Sequence, residues 1–158
     1  MKQTLVFVLL ALSALLALAA SADLTLVQDR KARAVIVVSP AVAQAIPVLT
    51  DAKADAEAVA DKVAWAARDL QTYLEKMSGA KLPIVTDDAP GAAGTRILVG
   101  RSKLTAKYDA KIPNGVTNLR EEEGYAILTD GDTLVLAGND TEPYHGTEYA
   151  VSFFLDKL

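Results

Sequence analysis

Three groups of carboxylates stand out in this chain of 158 residues: Asp87-Asp88, Glu121-Glu122-Glu123, and Asp140 with Glu142. Carboxyl groups cleave glycosidic bonds when two face each other across a sugar, ~5–5.5 Å apart for retention or ~6.5–9.5 Å for inversion. All three groups fall in polar stretches where charges are solvated, so no catalytic pair is expected. His145, the single histidine, follows Asp140 and Glu142. That neighbourhood could make a general base or a weak metal site, but a histidine beside a helix start reads more plainly as a surface or capping residue. The chain has no cysteine. Disulfides, a thiol nucleophile, Cys-ligated zinc, iron–sulfur clusters and a lipidated cysteine are excluded. Gly91-Ala92-Ala93-Gly94 lacks the Lys-Ser/Thr that completes a phosphate loop. Asn139-Asp140-Thr141 fits an N-glycosylation sequon. Trp65, Tyr73, Tyr108, Tyr125, Tyr144 and Tyr149 are scattered, with no evident platform for a sugar ring. Tyr144 and Tyr149 sit near the last loop, where they could meet a ligand or a neighbouring domain. The candidate ligand or interface residues are therefore Asp140, Tyr144, His145 and Tyr149. No catalytic, cofactor-binding or metal-binding residue is expected.

Composition limits the partners. Lys and Arg total 16 against 20 Asp and Glu, a net charge of −4. Nucleic-acid binding needs clustered positive charge to replace phosphate counterions, so it is not expected. Hydrophobic residues make up 51% and charged residues 23%, as in a globular domain. Lys2, an apolar run over 5–20 and Ala20-Ser21-Ala22 read as a secretory signal peptide cut after Ala22. The run is shorter than the ~20 residues a spanning helix needs. The protein is thus expected to be secreted or periplasmic, and to meet a membrane only through its leader. Residues 23–158 remain as one domain.

The elements that must hold the candidate residues follow from periodicity. Short strands are expected at 24–27, 34–39, 81–86 and 96–100. The 34–39 strand (AVIVVS) is continuously apolar, as a strand covered on both faces should be. Pro83 places the 81–86 strand at a sheet edge, because proline cannot donate to a ladder. Pro40 and Pro47 bracket an irregular connection. The strongest helix spans 51–77, capped by Thr50 or Asp51. Val59, Val63, Ala66 or Ala67, Leu70, Tyr73, Leu74 and Met77 form its apolar stripe. Lys62 lies off that stripe. Trp65 also lies outside it, either on the flank of the same core or at a second contact surface. Gly79 is placed to end the helix in the left-handed conformation. Residues 87–95 read as a loop and 101–123 as a long connection with one helical turn. Asp130-Gly131 between two apolar runs signals a β-hairpin. A last helix begins near Tyr144, with Thr147, Val151, Phe154 or Leu155, and Leu158 on one face. The fold class is α+β: a mixed or antiparallel sheet with two α-helices on one face. The chain stops inside an apolar helix, which suggests that it is cut short of a further domain.

Three stretches carry a resemblance: 66–84 (AARDLQTYLEKMSGAKLPI), 96–102 (RILVGRS), and 124–158 with its Gly-Tyr hairpin, Gly138-Asn139-Asp140 loop and Gly146-Thr147 helix start. Together they resemble the N-terminal domain of bacterial α-glucuronidases, glycoside hydrolase family 67, and of related exported proteins. The equivalent domain of β-N-acetylhexosaminidases is a more distant relative. The resemblance covers roughly 34–158 and rests on order and spacing. It implies a sheet with two helices on one face, like the second domain of β-hexosaminidases. It also implies a non-catalytic role ahead of a TIM barrel that carries the acid and base carboxylates. The partners implied are that barrel, in cis, and a carbohydrate. Relatives usually carry Arg before the Gly-Thr of the last helix, where this chain has His145. The reading is an exported accessory domain of a carbohydrate-active enzyme acting on xylan-like polysaccharide. The alternative is a free-standing secreted module that binds a glycan or a protein.

Overall fold

The computed structural model describes residues 24–48, 58–88, 94–113 and 124–158. The expected leader at 1–22, the Thr50 or Asp51 cap and the Glu121-Glu122-Glu123 cluster lie outside these residues. Five strands form one sheet: β3 (Ala34–Val38), β4 (Ile84–Thr86), β5 (Thr95–Val99), β6 (Tyr125–Asp130) and β7 (Thr133–Gly138). Their order is β4-β3-β5-β7-β6. The first four are mutually parallel, and β6 closes the far edge antiparallel to β7. The sheet is therefore mixed. The edge position expected from Pro83 holds, and its carbonyl accepts Ile36 N–H at 2.9 Å. Ahead of the sheet, β1 (Val27–Gln28) and β2 (Lys31–Ala32) make a small separate hairpin. Asp29 and Arg30 form its turn.

Alternation along the strands builds two cores. Ile36, Val38, Ile97, Val99, Leu134 and Leu136 point to one face, and Val37, Leu98, Val135 and Ala137 to the other. The first face is covered by α2 (Val59–Ser78) and α3 (Gly146–Leu155). The second is covered by Tyr108 and Ile112, carried on and just after a 3₁₀ segment, Lys103–Lys111. That segment is longer than the single turn expected between 101 and 123.

Three expectations need correction. The stretch bracketed by Pro40 and Pro47 is not irregular: α1 (Pro40–Ala45) forms there. Pro40 sits at the first helical turn, where no N–H is missed, and Ser39 Oγ accepts Val42 N–H at 3.4 Å. Second, Val59, Tyr73 and Met77 of the α2 stripe are exposed, whereas Lys62 is buried. A helix of 20 residues spans about 30 Å, while the strands beneath span about 17 Å, so its ends overhang the sheet. Tyr73 lies at the stripe's margin. Lys62 is buried because the loop after β7 folds over it. Third, Leu158 is exposed, and the buried face of α3 is carried by Thr147, Ala150 and Val151. Trp65 is partly buried against the helix-side core, with the Arg68 guanidinium 3.8 Å from its ring centre. Gly79 ends α2 at φ 72°.

Candidate functional site

The chain leaving β3 crosses through α2 to β4 on one side, then returns past β3 to β5 on the other. In open sheets with parallel strands, such a reversal leaves a crevice outside the carboxyl ends of the strands. Here a crevice of about 320 Å³ opens at the ends of β3, β5 and β7. Ala41 and Val42 of α1 and Val59, Ala60 and Val63 of α2 form its aliphatic walls. Ser39, Arg101, Asn139, Asp140 and Thr141 supply its polar groups.

Asp140 is a buried charge, 6% exposed, and not the solvated loop residue expected. Its Oδ1 accepts Thr147 N–H at 2.8 Å and its Oδ2 accepts Thr147 Oγ1–H at 2.6 Å. Thr147 Oγ1 in turn accepts Gly138 N–H at 3.1 Å. A carboxylate thus caps the start of α3, where exposed N–H groups favour negative charge. Burial pushes the Asp140 carboxyl above the usual range, and the Thr147 hydrogen bonds and the charges of Lys62 and His145 pull it back in part. Strand and helix meet closely at this end. Asn139 N–H donates to Gly124 O at 2.9 Å and Gly146 N–H to Asn139 O at 2.8 Å. A Cβ on Gly138 would lie 2.5 Å from the Gly146 carbonyl carbon.

His145 occupies the position before α3 but makes no side-chain capping bond; Asp140 does that work, seven residues before the Thr147 N–H it accepts. The His145 Nδ1 lies 3.1 Å from Glu148 Oε2. Lys62 reaches across from α2, donating to Glu142 Oε2 at 2.9 Å and to Tyr144 O at 3.0 Å. Asn139 is 1% exposed and its Oδ1 accepts Thr141 N–H and Oγ1–H, so the sequon is inaccessible in the folded domain. Of the four candidates, Asp140 lines the crevice, Tyr144 holds Lys62 through its backbone, and His145 sits at the helix start. Tyr149 is exposed on the outer side of α3, away from this group. Lys62 and Thr147 were missed. The partner of Lys62 lies 80 residues away, and that of Thr147 lies in the loop before α3, where no helical repeat runs.

The outer side of the helix pair exposes several apolar side chains. Tyr149 and Phe153 are exposed one turn apart on α3, and the Phe153 ring lies 6.0 Å from that of Tyr125 on β6. Tyr73 and Met77 of α2 face Ser152 and Leu155 of α3 across a groove of about 390 Å³. Asp69 and Asp156 also line the groove. Burial raises the Asp69 carboxyl against the opposing pull of Arg68. Among the described residues, no three His, Asp or Glu side chains converge as a metal-binding group. Nor, among them, is any helix long and apolar enough to cross a membrane.

No protein-family model matches the chain, and no curated protein sequence matches it.

Proposed function

We propose that this chain is an exported accessory domain of a carbohydrate-active enzyme, similar in role to the N-terminal domain of α-glucuronidases. Its work is structural: it packs against a catalytic barrel and supports the loops around the sugar cleft. The observation that supports this is two groups of exposed apolar side chains on neighbouring elements: Tyr73 and Met77 of α2 beside one groove, and Tyr149 and Phe153 of α3 with Tyr125 of β6. Single exposed apolar residues are ordinary on any surface, whereas grouped ones are what an interface uses. The barrel would supply the acid and base that hydrolyse the glycosidic bond, as in release of glucuronic acid from xylan side chains. In this chain the one carboxylate lining the crevice, Asp140, has both oxygens bonded to Thr147.

Reading the coding sequence past Leu158 tests the proposal. A frame that continues for several hundred residues with a repeated βα pattern is the expected result. A stop codon directly after Leu158 would remove the partner and the proposal with it. Turnover of aryl-glycoside or aldouronic-acid substrates by the chain alone would also overturn it.

A further inference from the structure

The crevice at the ends of β3, β5 and β7 has walls and a charge that the accessory role does not use. Five aliphatic side chains form one side of it, and among the described residues no aromatic ring lines it. Arg101 contributes to the lining, but its guanidinium is spent elsewhere. It donates to Asp109 Oδ1 at 2.8 Å and to the carbonyls of Ile112 and Pro113 at 2.9 Å each. Lys62 is likewise committed, to Glu142 and the Tyr144 carbonyl. Asp140 differs. Among the described residues no Lys, Arg or His nitrogen lies within ion-pair distance of its carboxylate. Each oxygen accepts one hydrogen bond from Thr147, and a carboxylate has about four acceptor positions, so capacity remains. The volume, about 320 Å³, is at the small end of the range for ligand pockets. An aliphatic cavity roughly half that size can hold a molecule as large as benzene.

We propose that this crevice binds a small aliphatic ammonium compound, with its alkyl body against Ala41, Val42, Val59, Ala60 and Val63 and its charged head on Asp140. Shape selects a short chain or compact alkyl group. The absence of aromatic lining disfavours a sugar ring, which stacks on aromatic faces. The charges of Lys62 and His145 act on Asp140 from a distance, but a buried carboxylate with no cation in contact selects a cation over a neutral or anionic head.

The test is an amide-resolved NMR titration of the full chain near neutral pH with three compounds of equal length: hexylammonium, hexanol and hexanoate. Hexylammonium should bind saturably in the millimolar range and shift the amides of Val42, Val63 and Asn139. Hexanol should bind at least ~10-fold more weakly, and hexanoate should not bind. Asp140→Asn should bring hexylammonium down to the level of hexanol. Ala41 is exposed at the mouth, so Ala41→Trp can block the crevice without disturbing the core. It should abolish the shifts. If Asp140→Asn fails to fold, the Ala41→Trp variant and the ranking of the three compounds decide the matter. Equal binding of the three compounds, shifts confined to other residues, no saturable binding, or unchanged binding by Ala41→Trp each overturns the proposal.

Discussion

The β6–β7 hairpin carries an aspartate at each end, and the two behave oppositely. Asp130, at the tip, accepts from Lys107 Nζ and from Tyr108 Oη, both at 2.7 Å. Those two bonds hold its carboxyl below the usual range. Asp140, at the base, also accepts two hydrogen bonds, yet burial raises it. Bond count is the same, but the tip has a cationic donor and full exposure, whereas the base has neutral donors and burial, and together these set the sign. At the tip, water still solvates the charge and the partners add to it. At the base, the protein has displaced the water and two neutral donors recover only part of the loss. The glycines differ in the same way. A Cβ on Gly131, in the tip turn, meets nothing within 4 Å, whereas a Cβ on Gly138 or Gly146 runs into backbone.

The largest effect expected is at the base. Gly138→Ala and Gly146→Ala should each cost about 3 kcal/mol, because the atoms met are main chain and cannot swing aside. Gly131→Ala should cost about 1 kcal/mol, arising from its φ of 54° alone. Urea denaturation of the three variants checks this, and a Gly138→Ala variant as mild as Gly131→Ala would break the comparison. Next is Thr147→Val, which leaves Asp140 Oδ2 and Gly138 N–H without their partner and should cost about 2 kcal/mol. Its counterpart at the tip, Tyr108→Phe, should cost about 1 kcal/mol or less, since water can replace the lost donor at Asp130.

The smallest effects are in pH dependence, but their signs are opposite. The folded carboxyl of Asp140 lies above its unfolded value. Its contribution is therefore fully present at low pH and lost as pH rises through the folded pKa. The folded carboxyl of Asp130 lies below its unfolded value, so its contribution is present above the unfolded pKa and lost as pH falls. Stability curves of Asp140→Asn and Asp130→Asn should thus diverge from the parent in opposite directions as the solution is acidified. Parallel curves would show that burial does not set the charge state of Asp140.

The hairpin tip was legible in the sequence because every signal there is local. Asp130-Gly131 joins two apolar runs, and turn chemistry needs no distant partner. The buried strand at Ala34–Val38, the Pro83 edge and the Gly79 helix end were readable for the same reason. The α1 helix was missed because two prolines read as breakers, although Pro40 occupies the one helical turn that tolerates it. The groups around the base were misread because residue type alone suggested solvated charges at Asp140 and Lys62. Nothing within a few residues of either reveals what covers them.

By itself the sequence determined the mixed class, the hairpin, the main helix and its glycine stop, and the apolar strands of the core. These depend on backbone preference and short-range periodicity. Only the tertiary structure decided the strand order, the crevice at the reversal between β3 and β5, the trapped Lys62, and the cap that Asp140 places on α3. Each depends on desolvation by elements distant in the chain, and the free energy of a charge depends on what excludes water from it.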